Sequence, residues 1–410
     1  MSKELWHNDK WYTSYWNFDD RVKEFYKFAK KIEFHDVSLR DGEQQSGLVF
    51  RKDQKIAVAE KLAELGIHRI EAGMPAVSKQ DEEAIREIVK RNFGPKIFSF
   101  ARCMVDDVKM AADMGVEGII TEIPANELLI KHGYKWETQK AIDACVKATR
   151  LAHESGLYVV LFLIDESRAD FNYLTNFIDH IDKDGYFDSL AIVDTVGVLN
   201  PLGAYFAVQT MKERYPGKRL EVHFHDDFGL GSAATLMGLA AGAEVAHTTI
   251  GAIGERAGNT GYEEVALSLL TMFGQDTGLK YEKIYPTAQW LFEMAGITQR
   301  PNRGILGPDI SKMYSGLPVL WYESIKKTVN DPLILFPYRW SLTGHPDISY
   351  TIGKMNGNAT VQYYLREMGL DDQDEDKVKA CLLGVKNKAF EVGRALTFDE
   401  FKEVAKGIYK

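Results

Sequence analysis

The stretch that decides the fold runs from Ile32 to Ala72 and reads IEFHDVSLRDGEQQSGLVFRKDQKIAVAEKLAELGIHRIEA. The apolar run Ile32–Ser38 predicts a buried strand. Residues Asp53–Leu65 carry apolar side chains at steps of three and four, which predicts an amphipathic helix. Gly66 follows as a helix-ending glycine, and Ile67–Ala72 predicts the next strand. The stretch therefore predicts one strand–helix–strand unit.

The same unit recurs along the chain at intervals of about 30 residues, the length of one strand, one covering helix and their turns. Eight such repeats predict a parallel (β/α)8 TIM barrel in the α/β class. An open doubly wound sheet remains the alternative, because the sequence alone does not show closure. The predicted strands are Ile32–Ser38, Ile67–Ala72, Lys96–Ala101, Gly118–Ile123, Leu157–Ile164, Ser189–Asp194, Leu220–His225 and Glu244–Ile250.

Two regions lie outside the predicted barrel, which we place at residues 31–280. Residues 1–30 form an aromatic-rich arm that needs a surface to cover, either the barrel or a second subunit. Residues 281–410 contain many prolines and then helical patterns, and we interpret them as a lid and a helical subdomain. A capping box at Thr397–Glu400 predicts the start of the last helix. The aromatic residues of the arm include Trp6, Trp11, Tyr12, Tyr15, Trp16 and Phe18.

Composition narrows the function. The 410 residues include 50 Lys and Arg against 59 Asp and Glu, a formal charge of −9, which argues against nucleic-acid or anionic-membrane partners. Hydrophobic residues make up 45% of the chain, the balance of a globular protein. No apolar run is long enough to predict a membrane span. The three cysteines are odd in number and far apart, so we expect a cytoplasmic protein without disulfides.

Chemistry-bearing residues cluster where the predicted strands end, and active sites of such barrels lie at that face. His223 and His225 are two apart on strand 7, so they face the same side. Asp41 follows strand 1, about 10 Å away across strand 8, and Asn259 follows strand 8. One carboxylate, two imidazoles and an amide oxygen predict a mixed site for a divalent ion with room for substrate oxygens. Histidines that are merely hydrogen-bonded in the core are the alternative.

Arg40 lies next to Asp41, where a buried cation could stabilise a developing oxyanion. The alternative for Arg40 is a purely structural ion pair with Asp41 or Glu71. Glu71 ends strand 2 and could orient Arg40, because a buried glutamate needs a partner.

Three motifs, Leu39–Gln44 (LRDGEQ), His223–Gly229 (HFHDDFG) and Gly254–Asn259 (GERAGN), carry a resemblance to a known family. Over residues 32–275 the chain resembles the metal-dependent lyase and synthase barrels. These include isopropylmalate, citramalate and homocitrate synthases, hydroxymethylglutaryl-CoA lyase and pyruvate carboxyltransferase-like relatives. The loop Gly254–Asn259 resembles the synthase branch, because the lyase branch has a cysteine there.

The resemblance implies roles for individual residues. It implies that Asp41, His223 and His225 bind the metal with Asn259 nearby, and that Arg40 stabilises an enolate. It also implies a metal of the Mg, Mn, Zn or Co type, a coenzyme A thioester as co-substrate and a homodimer. The substrate-binding residues that we expect are Gln44, Arg102, His132 and Thr195, of which Thr195 holds the carboxylate of the 2-oxo or 2-hydroxy acid.

One segment departs from the synthase pattern. Synthases carry a His-Glu-Ser-Gly-Ile-His type of stretch after the barrel, whereas this chain has Met313–Pro318 (MYSGLP). The histidine that takes part in proton transfer is therefore missing. Candidate replacements are Tyr314, His132 and Glu255, and the sequence does not choose among them.

Three functions follow for testing. The first is an acyltransferase that condenses an acyl-CoA, such as acetyl-CoA, with a 2-oxo acid to give a malate-type hydroxy acid. The second is a retro-aldol or retro-Claisen lyase that cleaves a hydroxy acid or hydroxyacyl-CoA at the same metal site. The third is a metal-bound sensor or scaffold, which the presence of Arg40 and Glu71 disfavours, because metal binding alone does not require them.

Overall fold

Eight parallel strands close into a barrel in chain order, and β8 pairs with β1 through the register Phe34↔Ala246. This pairing confirms the (β/α)8 barrel and excludes the open sheet. The strands of this computed structural model are β1 Glu33–Asp36, β2 Arg69–Glu71, β3 Lys96–Arg102, β4 Gly118–Pro124, β5 Tyr158–Ile164, β6 Ser189–Asp194, β7 Arg219–Phe224 and β8 Val245–Thr248.

Helices connect the strands as the spacing predicts. The helix predicted at Asp53–Leu65 begins one residue earlier, and Gly66 ends it in the left-handed conformation at φ +83°. The helices of this region are α1 Asp20–Lys23, α2 Lys52–Leu65, α3 Lys79–Arg91, α4 Val105–Asp113, α5 Thr138–Glu154, α6 Phe171–Asp184, α7 Pro201–Arg214, α8 Gly231–Ala240, α9 Tyr262–Met272 and α10 Ile284–Ala295.

Strand β1 is shorter than the predicted Ile32–Ser38. The backbone N–H of Ser38 donates to the side chain of Asp36, and the N–H groups of Arg40 and Gly42 turn back to the carbonyl of Val37. These bonds replace the ladder to the neighbouring strands. The chain therefore turns over the barrel mouth early, and this turn carries Arg40 and Asp41.

Side chains of alternate residues fill the barrel interior, because successive residues of a strand point to opposite faces. On β3 and β4 the inward residues include Phe98, Phe100 and Ile120, and on β5 they include Val160 and Phe162. Parallel strands bring all their carboxyl ends to one face, and this face carries the candidate site.

The structure describes residues 4–409, so the first three residues of the predicted arm and the last residue of the predicted C-terminal region lie outside the described part. Chain contacts divide the protein into two units, one of residues 14–298 and one of the residues up to Thr13 together with those from Gln299 onward. This division groups Phe18 and α10 with the barrel. The functional boundaries after residues 30 and 280 stay a prediction.

The second unit is mainly helical. Val361, Val385 and Phe401 belong to its apolar core. The capping box predicted at Thr397 is present, with the hydroxyl of Thr397 accepting from the N–H of Glu400. Its elements are β9 Lys312–Met313, α11 Gly316–Thr328, β10 Ser349–Tyr350, α12 Asn358–Glu367, α13 Glu375–Val392 and α14 Phe398–Ile408. In the described part of the chain, no helix combines the length and the apolar character needed to cross a bilayer.

Candidate active site

Asp41, His223 and His225 meet at the carboxyl end of the barrel, and we call them the upper cluster. Asp41 lies in the turn after β1, His223 lies on β7, and His225 follows that strand. One carboxylate oxygen of Asp41 lies 3.0 Å from Nε2 of His223 and 3.6 Å from Nε2 of His225. One donor atom of each residue falls within 4.8 Å of the others, so the three can share an ion.

Asn259 is held beside His225 by a bridge between their backbones. The amide nitrogen of Asn259 donates to the carbonyl of Ile253 at 3.3 Å. Its amide oxygen is buried and has no hydrogen-bond partner. The loop that presents it needs two glycines at positive φ. A Cβ on Gly254 would lie 2.2 Å from the Asn259 amide nitrogen, and one on Gly258 would lie 2.0 Å from the carbonyl oxygen of Ala252.

The upper cluster fits a divalent cation. The second carboxylate oxygen of Asp41 and the amide oxygen of Asn259 are buried and have no hydrogen-bond partner, which is costly unless an ion or water binds them. Burial lowers the pKa of His223 to about 3, although Asp41 opposes this shift, so its ring is neutral, as a metal ligand must be. Burial alone would raise the pKa of Asp41, but Arg40 and His223 hold it well below its usual range.

Arg40 is fixed from three sides. Its Nε donates to Glu71, its Nη1 lies 3.2 Å from Asp41, and its guanidinium carbon lies 4.0 Å above the ring of Phe100. Burial disfavours its charge, but Glu71 and Asp41 raise the pKa of Arg40 above its ordinary value. Its Nη2 is buried without a partner, so the guanidinium keeps one donor for an oxyanion.

A cavity of about 570 Å³ adjoins Arg40 between the β1 and β2 loops. Gln44 and Phe50 line it. Its wall is braced by the buried ammonium of Lys55, which lies 2.6 Å from Glu43 and donates to the carbonyl of Leu39. The cavity therefore adjoins Arg40 and has a fixed wall.

The other predicted substrate-binding residues lie at different depths. Thr195 follows β6 and its hydroxyl accepts the N–H of Asp165 at 2.8 Å, which leaves its O–H able to donate. Arg102 ends β3, but Asp107 binds its guanidinium through two hydrogen bonds. His132 is exposed in a π-helical turn, Leu129–Tyr134.

Two of the three candidates for proton transfer, Glu255 and His132, are exposed. The Glu255 side chain is 58% exposed and pairs with Arg256. Tyr314 belongs to the second unit, where its hydroxyl lies close to Gly353. His132 is the exposed residue just described.

A second buried trio, which we call the lower cluster, consists of His35, Glu221 and His247. Nε2 of His247 lies 2.7 Å from one oxygen of Glu221, and the other oxygen accepts from Arg69 at 3.0 Å and from Ser189 at 2.7 Å. The rings of His35 and His247 stack with centroids 4.5 Å apart. The sequence motifs did not predict this cluster, although its members occupy inward positions on three strands.

Glu122 had no predicted catalytic role. Along β4 the inward positions are Gly118, Ile120 and Glu122, and Glu122 lies at the carboxyl end, paired in register with Phe162 of β5. The two-residue alternation of the predicted strand was the signal that could have found it.

A family model described as HMGL-like matches residues 31–291. Among curated proteins, the chain is 33% identical over 387 residues to a probable 2-isopropylmalate synthase from Ignicoccus hospitalis. The aligned residues cover 94% of each chain. It is 29% identical over 382 residues to the homocitrate synthase AksA from Methanothermobacter thermautotrophicus, which covers 93% of this chain and 95% of that protein.

Among solved structures, the HMG-CoA lyase from Bacillus subtilis superposes with a TM-score of 0.60 at 20% identity. The match covers 67% of this chain and 97% of that one. At this identity the likeness concerns the barrel fold alone.

Proposed function

The chain belongs to the HMGL-like family, and we propose that it is a divalent-metal-dependent acyltransferase that joins an acyl-CoA to a 2-oxo acid. The observation that carries the proposal is the convergence of Asp41, His223 and His225 beside the guanidinium of Arg40, with buried oxygens left unpaired. The names of the relatives, 2-isopropylmalate synthase and homocitrate synthase, support synthesis of a malate-type hydroxy acid from acetyl-CoA.

The upper cluster and Asn259 would hold the metal. A divalent ion there would bind the carboxylate and keto oxygens of the 2-oxo acid and make its keto carbon more electrophilic. Imidazoles suit Zn, and carboxylate and amide oxygens suit Mg and Mn, so we propose a metal of the Mg, Mn, Zn or Co type.

Arg40, which Glu71 holds in place, supplies the positive charge that stabilises the acyl-CoA enolate. When the acyl group loses a proton, its thioester oxygen becomes an oxyanion, and the free Nη2 of Arg40 can donate to it. Glu71 holds Nε of Arg40 and so fixes the direction of the guanidinium before the reaction begins. The donor of Arg40 is therefore oriented before the oxyanion forms. Most of the electrostatic stabilisation of a transition state comes from such preorganised donors.

The substrates would approach from two sides. The O–H of Thr195 would donate to the carboxylate of the oxo acid, while Arg102 and His132 would contact substrate at the rim. The cavity lined by Gln44 would admit the acyl end of coenzyme A, because it is large enough and borders Arg40. We also propose a homodimer and a cytoplasmic location.

Cleavage of a hydroxy acid or hydroxyacyl-CoA at the same site is the second candidate. The segment Met313–Pro318 favours it, because it lacks the histidines that synthases carry there. Forming and breaking the carbon–carbon bond use the same metal and the same guanidinium, so the direction depends on the base and the substrates.

The test is release of free thiol from acetyl-CoA in the presence of a panel of 2-oxo acids and each metal in turn. We expect thiol release that depends on both the oxo acid and the metal and that is lost with a chelator. The same protein is assayed for pyruvate or acetyl-CoA produced from hydroxy acids and their thioesters. If no metal and no oxo acid gives thiol release, the acyltransferase is contradicted. If product forms only in the second assay, the protein is a lyase.

A further inference from the structure

Glu122 faces the barrel interior at the end where the upper cluster lies. It follows Ile120 by two residues on β4, and Ile120 packs with Phe100 and Phe162 inside the barrel. In register, Glu122 pairs with Arg102 of β3 on one side and with Phe162 of β5 on the other. Phe100 lies under the guanidinium of Arg40, so β4 brings a carboxylate to the barrel end where Arg40 lies, and the charge of Arg40 acts on it.

The carboxylate of Glu122 is not neutralised by an ion pair. Within the described residues its one hydrogen bond comes from the hydroxyl of Tyr134, at 3.4 Å, and no basic nitrogen lies within the 4.0 Å of a salt bridge. Its nearest candidates are engaged: Arg102 is bound by Asp107, and Arg40 by Glu71. Burial consequently raises the pKa of Glu122, with the charge of Arg40 as a partial offset.

We propose that Glu122 is the general base of the proposed condensation and that Tyr134 positions it. The inference rests on the acyltransferase function and fills the role left vacant by the missing histidines. The role needs a partly buried carboxylate that has no ion pair and lies at the barrel end of Arg40, and Glu122 meets these conditions. Glu255 is exposed, and Tyr134 only donates a hydrogen bond to Glu122, so neither residue takes the role of Glu122.

The sequence balances with water as its one further reagent. A carboxylate oxygen of Glu122 takes a proton from the carbon next to the thioester carbonyl. The electron pair of that C–H bond forms the enolate, whose oxygen faces Arg40. The enolate carbon bonds to the keto carbon, and the proton on Glu122 passes to the alkoxide oxygen that this creates. Water then cleaves the thioester and releases the free thiol.

The charged and titratable groups around Glu122 come from four elements. They are Arg40 after β1, Arg102 and Cys103 at the end of β3, Asp107 on α4 and Tyr134 in the turn after β4. The pKa values of Arg40, Arg102, Cys103 and Tyr134 are all raised above their ordinary values, so these groups titrate at alkaline pH. Because burial also raises the pKa of Glu71 beside Arg40, an acid limb in the rate is assigned to Glu122 only if Glu122→Gln removes it.

The experiment compares Glu122→Gln with Glu127→Gln, an exposed glutamate three residues after the end of β4. In Glu122→Gln we expect kcat to fall about 10²–10⁴-fold while KM for the oxo acid changes less than about 3-fold. The wild-type rate should rise with pH along an acid limb, at a higher pH than for an ordinary glutamate, and the variant should lose this limb. Glu127→Gln should keep both the rate and the limb.

Two further variants keep the test decisive if Glu122→Gln folds poorly. Glu122→Asp retains a carboxylate and should restore part of kcat. Tyr134→Phe removes the hydrogen bond to the carboxylate and should move the acid limb to higher pH, because the ionised form loses a donor. Circular dichroism of each variant reports folding.

An unchanged kcat in Glu122→Gln, or an acid limb that persists in it, would overturn the assignment. A variant that keeps kcat with its best oxo acid but changes the order of preference among oxo acids would also overturn it and make Glu122 a specificity residue. If the wild type releases no thiol with any oxo acid, the proposed function itself fails and the assignment fails with it.

Discussion

The upper and lower clusters contain the same ligand types, two imidazoles and one carboxylate, within the same barrel. They differ in what surrounds the carboxylate. Glu221 of the lower cluster accepts hydrogen bonds on both oxygens, from Arg69 and Ser189 on one and from His247 on the other. Asp41 of the upper cluster leaves one buried oxygen without a partner, and Asn259 adds another.

The comparison shows that the kinds of ligand do not define a metal site by themselves. In the lower cluster both oxygens of Glu221 already accept hydrogen bonds, so no carboxylate oxygen is left over for a dication. In the upper cluster two oxygens remain free at the barrel end where substrates enter. We therefore assign structure to the lower cluster and chemistry to the upper one.

The strongest effect is expected from Asp41→Asn, which keeps the shape of the upper cluster and removes its charge. We expect kcat/KM to fall about 10³-fold or more, because the site loses its charged ligand. The measurement is thiol release at saturating metal, with thermal melting as the check on folding. Activity within about 10-fold of the wild type would remove Asp41 from the chemistry.

The matching change in the lower cluster, Glu221→Gln, should act on stability instead. The change removes one of the two carboxylates that pair with the buried Arg69 and leaves Glu33, so we expect a loss of about 1–3 kcal/mol in the free energy of unfolding. Denaturant titration measures this, with Glu82→Gln on the surface as the control, for which the change should stay below about 1 kcal/mol. A large loss of kcat in folded Glu221→Gln would mean that the lower cluster also takes part in the reaction.

Glu71 lies between the two clusters, since it binds Arg40 and its other oxygen lies 3.7 Å from His35. In Glu71→Gln the guanidinium of Arg40 is held less firmly, so we expect kcat to fall about 10–100-fold with metal content unchanged. Steady-state kinetics and elemental analysis of the same preparation test this. A loss of metal with kcat per bound metal preserved would show that Glu71 acts on the ion and not on Arg40.

Asp36 is a buried carboxyl on β1 without a basic partner. We expect it to make the stability of the protein depend on pH. Burial raises the pKa of Asp36 to about 7. Between the ordinary carboxyl pKa and pH 7 the folded state binds more protons than the unfolded state, so the contribution of Asp36 to stability falls as pH rises. Asp36→Asn keeps the acceptor for the Ser38 N–H and should remove this fall.

Denaturant titrations of wild type and Asp36→Asn at pH 5 and pH 7 measure the difference. The variant should gain on the order of 2 kcal/mol relative to wild type over this range. An equal pH dependence of the two proteins would mean that Asp36 stays ionised in the folded protein.

The repeat of strands and helices was sufficient to predict the barrel, because each unit such as Ile32–Ala72 carries its own hydrophobic periodicity. The convergence of Asp41 and His223 followed from that topology, since β1 and β7 flank β8. The lower cluster and Glu122 could not be assigned in the same way. Their significance depends on inward register and on which cations are already engaged, and only coordinates show these contacts.

The most direct test of the central claim is anomalous diffraction from crystals of the active protein soaked in Mn²⁺. We predict one metal peak, bound by Asp41, His223 and His225 with Asn259 nearby, and no peak within the lower cluster. A peak between His35, Glu221 and His247, or an upper cluster without metal in crystals that still release thiol, would contradict the account.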